Sequence, residues 1–116
     1  MNENSLCPRF EKAMQLLGKR WTGLVLYQLM TKPSQRFSEI ESALPISGRL
    51  LSERLKDLEK EGLVTRHIYP EVPPRVEYSL TEKGRALEPA IQHIQKWASE
   101  WVELDENEDE ESTSQK

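Results

Sequence analysis

The chain has 116 residues, 36% of them hydrophobic and 31% charged, with a formal net charge of −4. That length makes one domain; no stretch of about 18 apolar residues offers a membrane span and no basic-then-apolar leader opens the chain, so a cytoplasmic protein with no membrane partner is expected. One cysteine excludes an intrachain disulfide and a multi-cysteine zinc site, and neither a metal nor a cofactor is expected.

Residues 1–6 read as a flexible polar lead. Cys7-Pro8 follows, and Phe10, Ala13, Met14 and Leu17 then recur at helical spacing up to Gly18. Proline suits the first turn of a helix, which puts Cys7 at or beside the N-cap. There the positive end of the helix dipole and the free amide donors favour a thiolate, the form that attacks quinones and peroxides, and Arg9 stands close by. The plainer reading of Cys7, a small buried apolar residue, stays open at this point. After Lys19-Arg20, a second helix takes Trp21, Leu24, Val25, Leu29 and Met30 as its apolar face and is broken by Thr31-Lys32-Pro33-Ser34.

Phe37, Ile40 and Leu44 predict a short third helix stopped by Pro45, with Arg36 at its start within reach of a phosphate. Ser47 is a good N-cap for the next helix, Leu51, Leu55 and Leu58 form its apolar stripe, and Gly62 is a natural residue just past its end. The opposite face carries Arg49, Ser52, Glu53, Lys56 and Lys60. Two short helices across a tight turn suit DNA recognition, with Arg49, Ser52 and Lys56 presented to bases and phosphates. A solvated amphipathic helix is the plainer reading, and Glu53 speaks mildly for a surface that meets protein. Arg54, at the edge of the stripe, suits an ion pair as well as a phosphate contact.

Leu63–Tyr69 and Val76–Leu80 read as two strands. The loop between them, Pro70-Glu71-Val72-Pro73-Pro74-Arg75, is too proline-rich to pair. Arg75 at its base fits a backbone or minor-groove contact, or equally a solvated hairpin arginine. Thr81 is expected to cap a long last helix over residues 82–104, with Leu87, Ile91, Ile94, Trp97, Ala98, Trp101 and Leu104 on one side and Pro89 kinking it or delaying its start. Two tryptophans on such a helix exceed what a small core needs and point to a partner subunit. From Val102 onward the chain carries seven acidic residues and one lysine, and residues 105–116 read as a disordered tail. Without that stretch, 15 basic and 13 acidic residues remain, a net of +2, so any DNA affinity must come from local placement and from a dimer. His67 and His93 sit in no motif, and there is no phosphate loop, metal cluster or nucleophile elbow, so no catalytic residue is expected and the chain is not read as an enzyme.

The expected fold is mainly α with a small β-wing (α+β): a winged helix-turn-helix over residues 7–104, with about five helices and a β-hairpin. The residues then match a family pattern. Cys7-Pro8, Gly18-Lys19-Arg20-Trp21, Arg36-Phe37, Ile46-Ser47 through Leu51-Ser52, Arg54-Leu55, Leu58-Glu59, Gly62 through Arg66, Pro73 through Thr81, Gly84 and Trp97 together resemble the HxlR-type winged helix-turn-helix regulators, relatives of the MarR group. The resemblance covers about residues 7 to 101. It implies a homodimer paired through helices over 7–17 and 82–104, with Phe10, Leu87, Ile91, Ile94, Trp97 and Trp101 at the interface. It implies a double-stranded operator with an inverted repeat, more often repressed than activated. Arg36, Ser47, Gly48, Arg49, Ser52, Lys56 and the wing residue Arg75 would be its DNA contacts, and Cys7 a sensor of quinones, aldehydes or disulfide stress. Several family sensors pair with a second, C-terminal cysteine, which this chain lacks. That leaves Cys7–Cys7 pairing across the dimer, an adduct, or a mixed disulfide with a low-molecular-weight thiol. Two alternatives remain: a MarR-like regulator with a non-covalent ligand between the dimer helices and the DNA-binding domain, and a winged-helix module for protein contacts.

Overall fold

The computed structural model describes residues 7–105, so the expected lead and all of the acidic tail beyond Asp105 lie outside the described residues. Pro8 opens α1 (Pro8–Leu17), where a missing N–H costs nothing. The turn into α2 (Thr22–Met30) is made at Trp21, which adopts a left-handed backbone at φ 79° while its ring, half-buried against the core, carries the Arg20 guanidinium 5.2 Å above it. Trp21 is therefore the residue before α2 and not part of its face. Val25, Leu26 and Leu29 are the buried side of α2, whereas Leu24, expected inside, is half-exposed on the outer side. A helix this apolar has no sharp stripe to read, so its orientation is settled by packing on α3 and α4.

The helix-turn-helix forms where the spacing predicts it. In α3 (Phe37–Ala43) the Glu39 carboxylate accepts from the Arg36 backbone N–H at 2.9 Å and closes the first turn. Leu44 and Ile46 on either side of Pro45 are both buried, which pins the turn to the core. Ser47 caps α4 (Gly48–Lys60), its hydroxyl accepting from the Leu50 N–H at 3.2 Å. Leu51, Leu55 and Leu58 are buried almost without remainder, each contributing about 1.5–3 kcal/mol of transfer free energy. At the far end the Gly62 N–H reaches the Glu59 carbonyl and the Leu63 N–H reaches the Leu58 carbonyl, a closure that needs the left-handed Gly62 at φ 79°. The Lys83 ammonium adds a cation there, donating to the Glu61 carbonyl at 2.6 Å.

The wing is the antiparallel pair β2 (Val64–Tyr69) and β3 (Arg75–Leu80), in register from Val64↔Leu80 to Tyr69↔Arg75. A third strand, β1 (Gln35–Arg36), pairs with the other edge of β3 through Gln35↔Tyr78, so the hairpin is the larger part of a three-stranded sheet in order β1-β3-β2. Gln35 is buried with its amide satisfied: it donates to the Gln28 carbonyl at 2.7 Å and accepts from the Gln28 side chain at 2.9 Å. The sheet is thereby tied to α2.

The C-terminal arm is not one continuous helix, and its full start is delayed to Pro89, one of the two effects expected of that proline. Thr81 caps only α5 (Glu82–Arg85), accepting from the Gly84 N–H at 3.1 Å while donating to the Gly62 carbonyl at 2.6 Å. The helix breaks at Ala86-Leu87 and restarts as α6 (Glu88–Trp101), with Pro89 in the first turn where proline is tolerated. Leu104 lies past the helix end and is not part of its stripe. Among the described residues no helix is long and apolar enough to cross a membrane.

Candidate nucleic-acid interface

With Leu51, Leu55 and Leu58 locked inward, α4 turns Arg49 and Lys56 outward and exposed, with Ser52 half-buried between them. Among the described residues neither Arg49 nor Lys56 is in an ion pair. The Ser47 hydroxyl is occupied by its cap, and Gly48 lies in the crossing of α3 and α4, against Phe37 and Glu41. Arg36 is exposed at the head of α3. Arg54 resolves to the structural alternative: it bonds Asp57 at 2.9 Å and the Arg20 carbonyl at 2.9 Å, while Lys19 adds a 3.3 Å pair to the same aspartate. That cluster fastens the recognition helix to the α1–α2 turn and so sets its angle.

Arg75 sits at the base of the wing, committed within the chain. It pairs with Glu71 at 3.0 Å and with Glu77, and lies 3.8 Å from the centre of the Tyr69 ring. Its bond to Glu71, more than the field of Glu77, holds the guanidinium above its ordinary value. Glu77 is held below the ordinary carboxylate value of 4.5, first by the Ser34 hydroxyl and then by Arg75. A carboxylate depressed on folding contributes stability that is complete above its unfolded value and is lost as pH falls through its folded one. The wing base is thus expected to loosen in acid below about pH 4.5. Thermal melts against pH should show Glu77→Gln with a shallower acid slope than the parent; equal slopes would remove Glu77 from the account of acid sensitivity.

Three residues that composition and spacing did not single out complete this face. Ser52 and Lys56 of α4 share a cleft of about 310 Å³ with Glu59, Arg66 and Tyr78. Arg66 of β2 stands opposite Tyr78 of β3, and its Nε lies 3.9 Å from the Glu59 carboxylate. Burial holds the Tyr78 phenol above its ordinary value, with Arg66 pulling the other way. The available signal was alternation: Val64, Arg66 and Ile68 share one side of β2, so an arginine falls on the side that begins with a buried valine.

Elsewhere, α1 and α6 leave large apolar side chains uncovered. α1 has no buried residue, leaving Phe10 and Met14 exposed, and on α6 Ile94, Trp97 and Trp101 are 57%, 58% and 71% exposed. Leu87 and Ile91, expected at the same interface, are used within the chain: Leu87 packs on the core and Ile91 is buried, because the restarted α6 docks its first turn against α2. Between α1, α2 and α6 runs an apolar groove of about 450 Å³ lined by Leu17, Leu24, Tyr27 and Ile94. Cys7 is exposed, at the N-cap position of α1, with a free thiol and a carbonyl that accepts from the Glu11 N–H at 2.9 Å; it is not the buried apolar residue of the plainer reading. Among the described residues no group of three or more His, Cys, Asp or Glu could hold a metal ion.

Comparison with known proteins follows the same outline. A family described as HxlR-like helix-turn-helix matches residues 16–106. The HTH-type transcriptional regulator YvaP of Bacillus subtilis (strain 168) is 60% identical over 104 residues, covering 89% of this chain and 95% of that one. YodB, an HTH-type transcriptional regulator of the same organism, is 48% identical over 101 residues, covering 86% and 89%. Its reduced form superposes with a TM-score of 0.74 over 85% of this chain and 97% of that chain, at 47% identity. YodB structures also exist diamide-treated and quinone-bound, with TM-scores of 0.70 and 0.71. The redox regulator HypR in its oxidised form superposes with a TM-score of 0.77 at 37% identity, over 84% of this chain and 100% of that chain.

Proposed function

Since the chain belongs to the HxlR-like helix-turn-helix family of transcriptional regulators, we propose that it is a homodimeric repressor of an inverted-repeat operator, released when Cys7 reacts with a quinone, another electrophile or a disulfide oxidant. The observation that carries the reading is the recognition face. Among the described residues Arg49 and Lys56 are in no ion pair, and they stand on the outward side of a helix whose other side is fully buried, in a domain otherwise close to neutral. Arg75 joins them by exchanging Glu71, whose side chain is 52% exposed, for a backbone phosphate while keeping Glu77, which is 15% exposed. The exposed apolar side chains of α1 and α6, Phe10, Met14, Ile94, Trp97 and Trp101, supply the dimer contact. Cys7 heads α1, so chemistry at the thiol acts on an interface helix and through it on the spacing of the two recognition helices. The quinone-bound and diamide-treated forms of YodB support that chemistry here.

The test is fluorescence anisotropy with a duplex from the region upstream of the gene. Arg49→Ala is expected to weaken binding by about 1–3 kcal/mol and to flatten sequence preference. Lys56→Ala should weaken all duplexes alike and lower the salt slope by about one per subunit. No loss with either variant would move the contact surface off α4.

A second reading rests on one cleft, about 640 Å³, between α1, the end of α4 and α5. Leu16, Leu17, Leu63 and Leu87 line its apolar part, with Arg9, Lys12 and Lys83 among its polar residues. That combination suits a non-covalent amphiphilic anion, and a response to effector that survives Cys7→Ser would favour it.

A further inference from the structure

The outward side of α4 and one side of β2 meet in the cleft formed by Ser52, Lys56, Glu59, Arg66 and Tyr78. We propose that this cleft is the seat of one DNA backbone phosphate, gripped jointly by Arg66 and Lys56, and that Glu59 is a stand-in anion which the phosphate displaces. The inference rests on the DNA-binding reading above and adds to it a contact, a partner atom class and an internal competitor.

Three features lead to it. First, the cations are held from different elements: Lys56 rides on the recognition helix, Arg66 on the wing strand, and the register Arg66↔Tyr78 places the arginine beside a nearly buried ring. A winged helix brings those two elements to the duplex together, so the strand linking the groove filled by α4 to the groove met by the wing passes over their junction. Second, the Arg66–Glu59 pair is loose. At 3.9 Å the atoms are beyond hydrogen-bond reach, and the two side chains are 48% and 32% exposed, so the pair is readily exchanged. Third, the residues lining the cleft are of the kind that binds a tetrahedral oxyanion: the Lys56 ammonium, the Arg66 guanidinium fork and the Ser52 hydroxyl all border it, with one carboxylate against two cations. Because a phosphate looks the same at every base pair, Arg66 acts in positioning the protein and carries no sequence preference.

The experiment measures anisotropy across a salt series, using the upstream duplex and a scrambled duplex of equal length. Arg66→Gln should weaken both duplexes by the same factor and lower the salt slope by about one per subunit. Arg66→Lys, which keeps the charge, should restore most of that slope. Since one phosphate is shared, Lys56→Gln with Arg66→Gln together should lower the slope by about one per subunit and not by two. Glu59→Gln should bind both duplexes more tightly, a gain that a damaged fold does not mimic. An unchanged slope in Arg66→Gln, a loss in Arg66→Lys as large as in Arg66→Gln, a double-variant loss of two, or weaker binding by Glu59→Gln would each overturn the shared seat while leaving the regulator reading intact. A parent protein that binds neither duplex would remove both.

Discussion

Replacing Trp97 and Trp101 together by alanine is expected to yield a folded monomer that no longer holds an operator. Both rings project from α6 with more than half their surface uncovered, and neither belongs to the core built from α2, α3, α4 and the sheet. The substitution therefore leaves the subunit's core intact. At a two-fold interface each residue counts twice, and truncating a buried aromatic anchor costs about 2–4 kcal/mol, roughly 30- to 1,000-fold in the dissociation constant. In the proposed dimer the two half-site contacts would then act separately, and operator affinity is expected to fall with dimerisation. Sedimentation of the variant beside its melting temperature separates the outcomes. A monomer with parental melting behaviour is expected, whereas a persistent dimer would place the interface on another face. Ile91→Ala is the contrast: it loosens the docking of α6 on α2 and lowers stability by about 2–4 kcal/mol.

Gly84→Ala is expected to be the most damaging one-carbon change in the described chain. A Cβ at Gly84 would lie 2.3 Å from the Leu63 carbonyl oxygen and 3.2 Å from its carbon, with Leu80 Cδ2 at 3.0 Å. The backbone it strikes cannot step aside cheaply. The Leu63 N–H closes the end of α4 on Leu58, and the Leu63 carbonyl accepts from the Thr81 N–H at 2.9 Å. Overpacking against fixed backbone costs about 3 kcal/mol, which for a domain of this size lowers the melting temperature by roughly 10 °C. The damage falls where α4, the wing and the C-terminal arm join, so the proposed operator binding and dimerisation are expected to weaken together. Gly23→Ala, where the added atom meets nothing within 4 Å, is the control and should melt close to the parent. Equal melting of Gly84→Ala and the parent would mean that the joint gives way more easily than its hydrogen bonds imply.

What could be read from the chain was local chemistry repeated at a fixed period. Leu51, Leu55 and Leu58 with the Ser47 cap and Gly62 determine α4 almost to the residue, and alternation around a proline-rich loop marks the wing. Features set by distant contacts were not legible. β1 is two residues long and shows no period; it exists because β3 offers a free edge and Gln28 satisfies Gln35. α2 is apolar on nearly every side, so Leu24 and Leu26 exchange places between expectation and fold. The break at Ala86-Leu87, by contrast, was foreshadowed by Pro89, which lacks the N–H a continuous helix would need there and sits instead in the first turn of α6. At the candidate interface, exposed Arg49 and Lys56 follow from the helical period alone, while the partners of Arg75 and the placing of Arg66 require the closed wing.

The most direct measurement follows anisotropy of the upstream duplex with the parent protein and with Cys7→Ser, before and after diamide or a quinone, and again after reductant. The parent should bind tightly and release on either treatment, recovering with reductant after diamide but not after the quinone, because a disulfide is reduced and a carbon–sulfur adduct is not. Cys7→Ser should bind as tightly and stay bound throughout. Release of Cys7→Ser as complete as that of the parent would contradict control through the thiol and move it to the cleft beneath α1.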